Sequence, residues 1–223
     1  MTNLNDSGLG KAINNLPEKT RGLITFGAVV LMIIFLSSVG GSDSPKPAPT
    51  TSNVSSWSAS QAVQPVTLDQ QITQKITDTL GATTNMSKPR VVKVEITPYS
   101  ATELKMYGYK ATDKIQSAFI IINSSENMTT NLQKGSMDGE ATKVFQSVFT
   151  ASPTIGDIVL WSQLPVQDKY GNTKDDTAIV FSMGRPLYQK VNWTGFDHRS
   201  LPDLLKSEWA SDDRNAYSEL IKF

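Results

Sequence analysis

Ala118-Phe119-Ile120-Ile121-Ile122 is an uninterrupted apolar run between Ser117 and Asn123. It is too short for a helix of its own and rich in β-branched side chains, so it reads as a central strand covered on both faces. The elements around it complete a domain. Downstream, beyond the polar stretch 123–138, Ala141, Val144, Phe145, Val148 and Phe149 fall at i, i+3, i+4, i+7 and i+8. That spacing places them on one buried helical face, and Pro153 stands just past its end. Two strand-like runs follow, Ile158–Leu164 and Thr177–Met183, around the polar segment Gln167–Asp176. Gly171 and Asn172 in that segment permit the positive φ of a turn, so the pair reads as a hairpin.

Pro186 and Leu187 open a short helix through Val191, and Leu201–Trp209 supplies another, with Trp193, Phe196 and Trp209 as candidate core side chains. Upstream, Val91–Ile96 alternates with period two, the mark of a half-buried strand. Leu104–Tyr109 reads as an edge strand interrupted by Gly108. Thr67, with Gln70 three residues later, forms a capping box before a helix bearing Leu68, Ile72, Ile76 and Leu80, which Gly81 is placed to end. The order helix, strands, helix, hairpin, short helices predicts an α+β domain over 67–223, an antiparallel sheet with helices packed on one side.

The first third of the chain has a different purpose. Between Gly22 and Ser42 no residue is charged, and Leu23, Ile24, Phe26 and Val29–Leu36 leave no polar face. About twenty residues at roughly 1.5 Å each match the hydrocarbon core of a bilayer, which predicts a transmembrane helix at 22–41. Lys11, Lys19 and Arg21 precede it and only Lys46 follows closely. The basic excess puts the 1–21 tail in the cytoplasm and the domain outside, in single-pass topology. A cleaved secretory signal competes at Ser38-Val39-Gly40, but the apolar run exceeds the usual 7–15 residues. Lipidation would need a cysteine where Val39 stands. The segment 42–66, with Pro45, Pro47, Pro49 and Pro65 among Ser, Thr and Ala, reads as a disordered linker acting as a spacer.

Composition narrows the chemistry. The 223 residues carry zero formal net charge and no cysteine, with 19% charged residues. A nucleic-acid footprint of clustered basic charge is not expected, and thiolate nucleophiles and cysteine metal sites are excluded. His198 is the sole histidine, so Asp197, His198 and Ser200 form the one cluster from which a hydrolase triad could be drawn. No nucleophile elbow, P-loop or dinucleotide fingerprint occurs. The loop from Asp168 is rich in oxygens, yet it has Tyr170 third, Gly171 fourth and Ile179 twelfth, which breaks the EF-hand pattern. Asp175 with Asp176 and Asp212 with Asp213 read as solvated charge. No catalytic, cofactor-binding or metal-binding residue is assigned, and an enzyme is not expected.

Asp168-Lys169-Tyr170-Gly171-Asn172, Phe181-Ser182-Met183, Lys190-Val191-Asn192-Trp193, Leu201-Pro202-Asp203-Leu204 and Trp209 together span the region 156–209. This pattern resembles one found in uncharacterised bacterial cell-envelope proteins. The resemblance implies an N-terminal membrane helix or lipoprotein signal, a low-complexity tether and a small extracytoplasmic α+β domain, and it implies no catalytic residues. The expected function is therefore a membrane-anchored binding or assembly domain, whose partners are the lipid bilayer and other envelope proteins. The alternatives are a subunit of an envelope-spanning conjugation or secretion apparatus, and an envelope hydrolase using Asp197, His198 and Ser200.

Overall fold

The computed structural model describes residues 66–168 and 170–221. The expected tail, transmembrane helix and all but the last residue of the linker lie outside the described residues. Among the described residues no helix is long and apolar enough to cross a membrane.

The chain runs α1 (Leu68–Leu80), β1 (Val91–Pro98), α2 (Ala101–Met106), β2 (Gln116–Asn123), α3 (Thr130–Ala151), β3 (Ile155–Gln167), β4 (Thr173–Gly184), α4 (Arg185–Lys190), a 3₁₀ turn (His198–Ser200), α5 (Leu201–Glu208) and β5 (Ala216–Glu219). The strands form one sheet in the order β1-β2-β3-β4-β5. Three neighbouring pairs are antiparallel, but β2 and β3 run parallel, with Ala118 opposite Ile158 and Ile120 opposite Leu160. The sheet is thus mixed, and the antiparallel expectation is corrected. Parallel neighbours need a long crossover between them. α3, 22 residues long, is that crossover.

Local chemistry fixes the helix ends. The Thr67–Gln70 capping box forms as expected at α1. A second capping box, Ser100 with Glu103, starts α2 where an edge strand was expected. Satisfying the first-turn amides outweighs the weak strand propensity of Leu104–Met106, and Gly108 at φ +76° turns the chain away after it. At the far end of α3 the Arg185 guanidinium donates to the carbonyls of Ser152 and Ile155, both at 2.5 Å, and to that of Phe149 at 3.4 Å. These bonds hold the carboxy-terminal end of the crossover against the start of β3.

One face of the sheet is dry. Ala118, Ile120, Ile122, Ile158, Leu160, Ile179, Phe181 and Met183 are fully buried against Met137, Ala141, Val144, Phe145 and Val148 of α3 and Ile72 and Ile76 of α1. Leu187 of α4 and Leu201 and Leu205 of α5 join the same core. Trp193 and Phe196 pack against it as expected, in an aromatic series Phe149–Tyr188–Trp193–Phe196 with ring centroids 4.6, 5.2 and 5.3 Å apart. Trp209 is half-buried outside that core. The opposite face corrects the reading of the apolar run: Phe119 and Ile121 are half-exposed, so β2 is covered on one face only.

Because Phe145 is fully buried between the crossover and the sheet, Phe145→Ala is expected to destabilise the domain by about 3–5 kcal/mol. Urea unfolding followed by circular dichroism should show a lower midpoint with an unchanged slope.

Candidate functional site

The cluster foreseen for hydrolysis does not assemble as a triad. Asp197 Oδ1 accepts from the Arg199 amide at 3.0 Å and so serves as the cap of the 3₁₀ turn. His198 Nδ1 lies 3.8 Å from Asp197 Oδ1. Among the described residues no hydrogen bond joins Ser200 Oγ to the imidazole, whereas a nucleophile and its base should stand at about 2.6–3.2 Å.

The oxygen-rich loop has the turn role read from its glycine. Asp168 Oδ1 accepts from the amides of Tyr170 at 2.8 Å and Asn172 at 2.9 Å, and Oδ2 accepts from Asn172 Nδ2 at 3.1 Å. The Asn172 side chain, then the backbone amides, hold this carboxyl below its ordinary value. Gly171 sits at φ +87°, a conformation strained for any residue with a Cβ. No group of three or more His, Cys, Asp or Glu is placed to hold a metal among the described residues.

The open face of the sheet is a different kind of site. The register sets Phe119 opposite Val159, Ile121 opposite Trp161, and Trp161 opposite Val180, all five half-buried. The Phe119 and Trp161 rings meet edge to face, with centroids 5.1 Å apart and planes at 84°. On β1, Lys93 and Glu95 face the same way and pair at 2.7 Å, and Lys93 Nζ lies 5.6 Å from the Phe119 centroid. The result is an apolar stripe with an acid–base pair on its rim. Covering the apolar part of such a stripe releases its water with little polar desolvation.

A polar cluster closes one end of that face. Asp157, 4% exposed, accepts hydrogen bonds from the Tyr99 hydroxyl and from Ser117 Oγ, the latter at 2.9 Å. Gly156 has no room for a side chain, since a Cβ would stand 2.5 Å from Ile115 Cγ2 and 3.0 Å from the Tyr99 hydroxyl. Arg214 forms a two-pronged pair with Asp212, Nε to Oδ1 at 2.8 Å and Nη2 to Oδ2 at 2.7 Å, and lies 4.2 Å over the Tyr107 ring. The Tyr107 hydroxyl donates to Asp213 at 3.2 Å. Asp212 and Asp213 are therefore not simply solvated charge: both are engaged in tying the α2 segment and the loop before β5 together. Burial pushes the Asp157 carboxyl up to about 6, against the lowering pull of the Tyr99 and Ser117 hydrogen bonds. The only sequence signal for this cluster was an aspartate at the mouth of an apolar strand.

A groove of about 660 Å³ lies elsewhere, between the first turns of α3 and the 3₁₀ turn, with Asn131, Lys134, Asp138, His198 and Arg199 among its walls. Asp138 is 5% exposed, and its Oδ1 has no hydrogen-bond partner. Burial first, and then Glu219, raise its carboxyl to about 7, while Lys134 and Lys206 pull it down.

The two raised carboxyls set a pH dependence. Asp157 ordinarily titrates near 3.8 and in the folded chain near 6, so folding retains a proton that the unfolded chain releases between those values. Stability should fall as pH rises across that window, by on the order of 3 kcal/mol from this group. Asp138 extends the decline to about pH 7. Asp157→Asn is expected to reduce the fall of the urea midpoint between pH 4 and 6 by roughly half, the remainder coming from Asp138, and to leave the slope between pH 6 and 7 unchanged. Comparison with protein-family models, with curated proteins and with solved structures finds no match to this chain.

Proposed function

We propose that this chain is a single-pass, membrane-anchored binding or assembly component of a bacterial cell envelope, with its α+β domain outside the cytoplasm. The partner is a protein surface, apolar at its centre and bearing opposite charges to meet Lys93 and Glu95. One observation carries the reading: the half-exposed apolar stripe of Phe119, Ile121, Val159, Trp161 and Val180 on an otherwise well-buried sheet. The apolar 22–41 run supplies the anchor, and the proline-bearing 42–66 segment supplies reach. Tethering of this kind raises the effective concentration of the domain for a partner near the same membrane.

A second reading, a subunit of an envelope-spanning conjugation or secretion apparatus, draws support from the β3–β4 hairpin. Past the Asn123–Gln163 pair, Leu164–Gln167 are paired only with Thr173–Asp176, so a two-stranded arm continues beyond β2. Such an arm has one side of each strand free for inter-subunit pairing.

A photo-crosslinking residue placed at 161 in intact cells should give a discrete adduct with a membrane or envelope protein, and one placed at exposed Lys105 should not. Trp161→Lys should remove the adduct formed from position 119 while leaving the circular-dichroism melting curve in place. Equal labelling from 161 and 105 would contradict the proposed surface. Full-length chain recovered in the soluble fraction after cell breakage would contradict the anchor.

A further inference from the structure

Two glycines interrupt the first half of α3, one turn apart on the face that carries Asn131, Lys134 and Asp138. Glycine is the poorest helix former after proline, so each position needs a reason. Gly139 has one inside the domain: a Cβ there would stand 3.3 Å from His198 Cδ2, so the imidazole packs against bare helix backbone. Gly135 has none, because a Cβ there would meet nothing within 4 Å. The space it leaves open belongs to the 660 Å³ groove.

The groove also holds an incomplete charge arrangement. Asp138 is nine-tenths buried, lines the groove and has an Oδ1 without a donor. A buried carboxylate oxygen left unpaired is costly, and a cationic or N–H donor is what satisfies it. Arg199, exposed, lines the same groove, and its guanidinium makes no ion pair among the described residues. An acid that the domain leaves short of donors and a cation on the same groove match a molecule carrying both signs.

We propose that this groove binds a small zwitterion of the amino-acid or short-peptide class. The ammonium of the ligand donates to Asp138, its carboxylate meets Arg199, and its intervening backbone crosses the helix at Gly135, where a side chain would obstruct it. The volume falls within the ordinary range for small-molecule sites. Burial outweighs the pull of Lys134 and Lys206 on the Asp138 carboxyl, so the ammonium of a ligand adds compensation that the two lysines leave incomplete. This site is separate from the open sheet face and does not depend on the function proposed for it.

The test uses the full 223-residue chain in detergent, with trialanine, N-acetyl-trialanine and trialanine amide as probes, read by calorimetry and by saturation-transfer NMR. Trialanine is expected to bind saturably, and acetylation, amidation, Asp138→Asn and Arg199→Gln are each expected to weaken binding by about tenfold or more. Gly135→Val should abolish binding. Gly135→Ala should raise the melting temperature and weaken binding, which separates a ligand role from a folding role. Failure of trialanine to bind, binding indifferent to both blocked termini, or a lowered melting temperature for Gly135→Ala would each overturn the proposal.

Discussion

Two interior strands that run in the same direction cannot be joined by a turn, and the pairing of β2 with β3 obliges the chain to travel back over the sheet before it can continue. α3 makes that journey, and by making it on one side it decides which residues are dry. Met137, Ala141, Val144, Phe145 and Val148 seal Ala118, Ile120, Ile158 and Leu160 from solvent. Among the described residues, the alternate residues of the same strands have no second crossover to cover them. The open face of Phe119, Val159 and Trp161 is thus a consequence of the topology, and it is what leaves the domain with an apolar surface to offer.

The crossover is fastened by arginines at its middle and at its far end. At mid-helix, Arg90 donates to the Asn123 carbonyl at 3.0 Å, to Glu140 at 2.8 Å and to Ser125 Oγ at 3.0 Å, joining the end of β2 to α3. At its finish, Arg185 donates to the carbonyl of Phe149 in the last helical turn, to that of Ser152 just past it and to that of Ile155 in β3. Both arginines bind backbone carbonyls, and Arg90 binds the Glu140 and Ser125 side chains as well, so they specify where the helix lies along the sheet, a matter that apolar packing alone settles poorly.

Much of this was legible from residues alone, for reasons that also explain the failures. The capping box at Thr67 and the i, i+3, i+4 spacing from Ala141 to Phe149 are local signals and led to the right elements. The first turns of α3 were passed over because Gln133, Asp138 and Glu140 are buried polar residues, which break apolar periodicity without breaking the helix. Strand direction leaves no mark on hydrophobic pattern, so the parallel pair was missed. β5 is four residues without an apolar run, and α2 was assigned the wrong period over too few residues to arbitrate. The sites were harder still. A continuous run such as Ala118–Ile122 has the same composition whether both faces are buried or one is left open. The convergence of Asp157 with Tyr99 and Ser117, and the groove shared by Asp138 and Arg199, depend on packing between distant parts of the chain.

The sheet is sealed on the α3 side and open on the other, and the proposed role depends on that asymmetry. Hydroxyl-radical footprinting with residue-level mass spectrometry, run on the purified full chain and on intact cells, measures it directly. Phe145 and Phe181 should be unreactive in both samples, while Phe119 and Trp161 should be reactive in the purified chain and protected in cells, where the partner covers them. Trp161 equally reactive in both settings, or as silent as Phe145 in the purified chain, would contradict it.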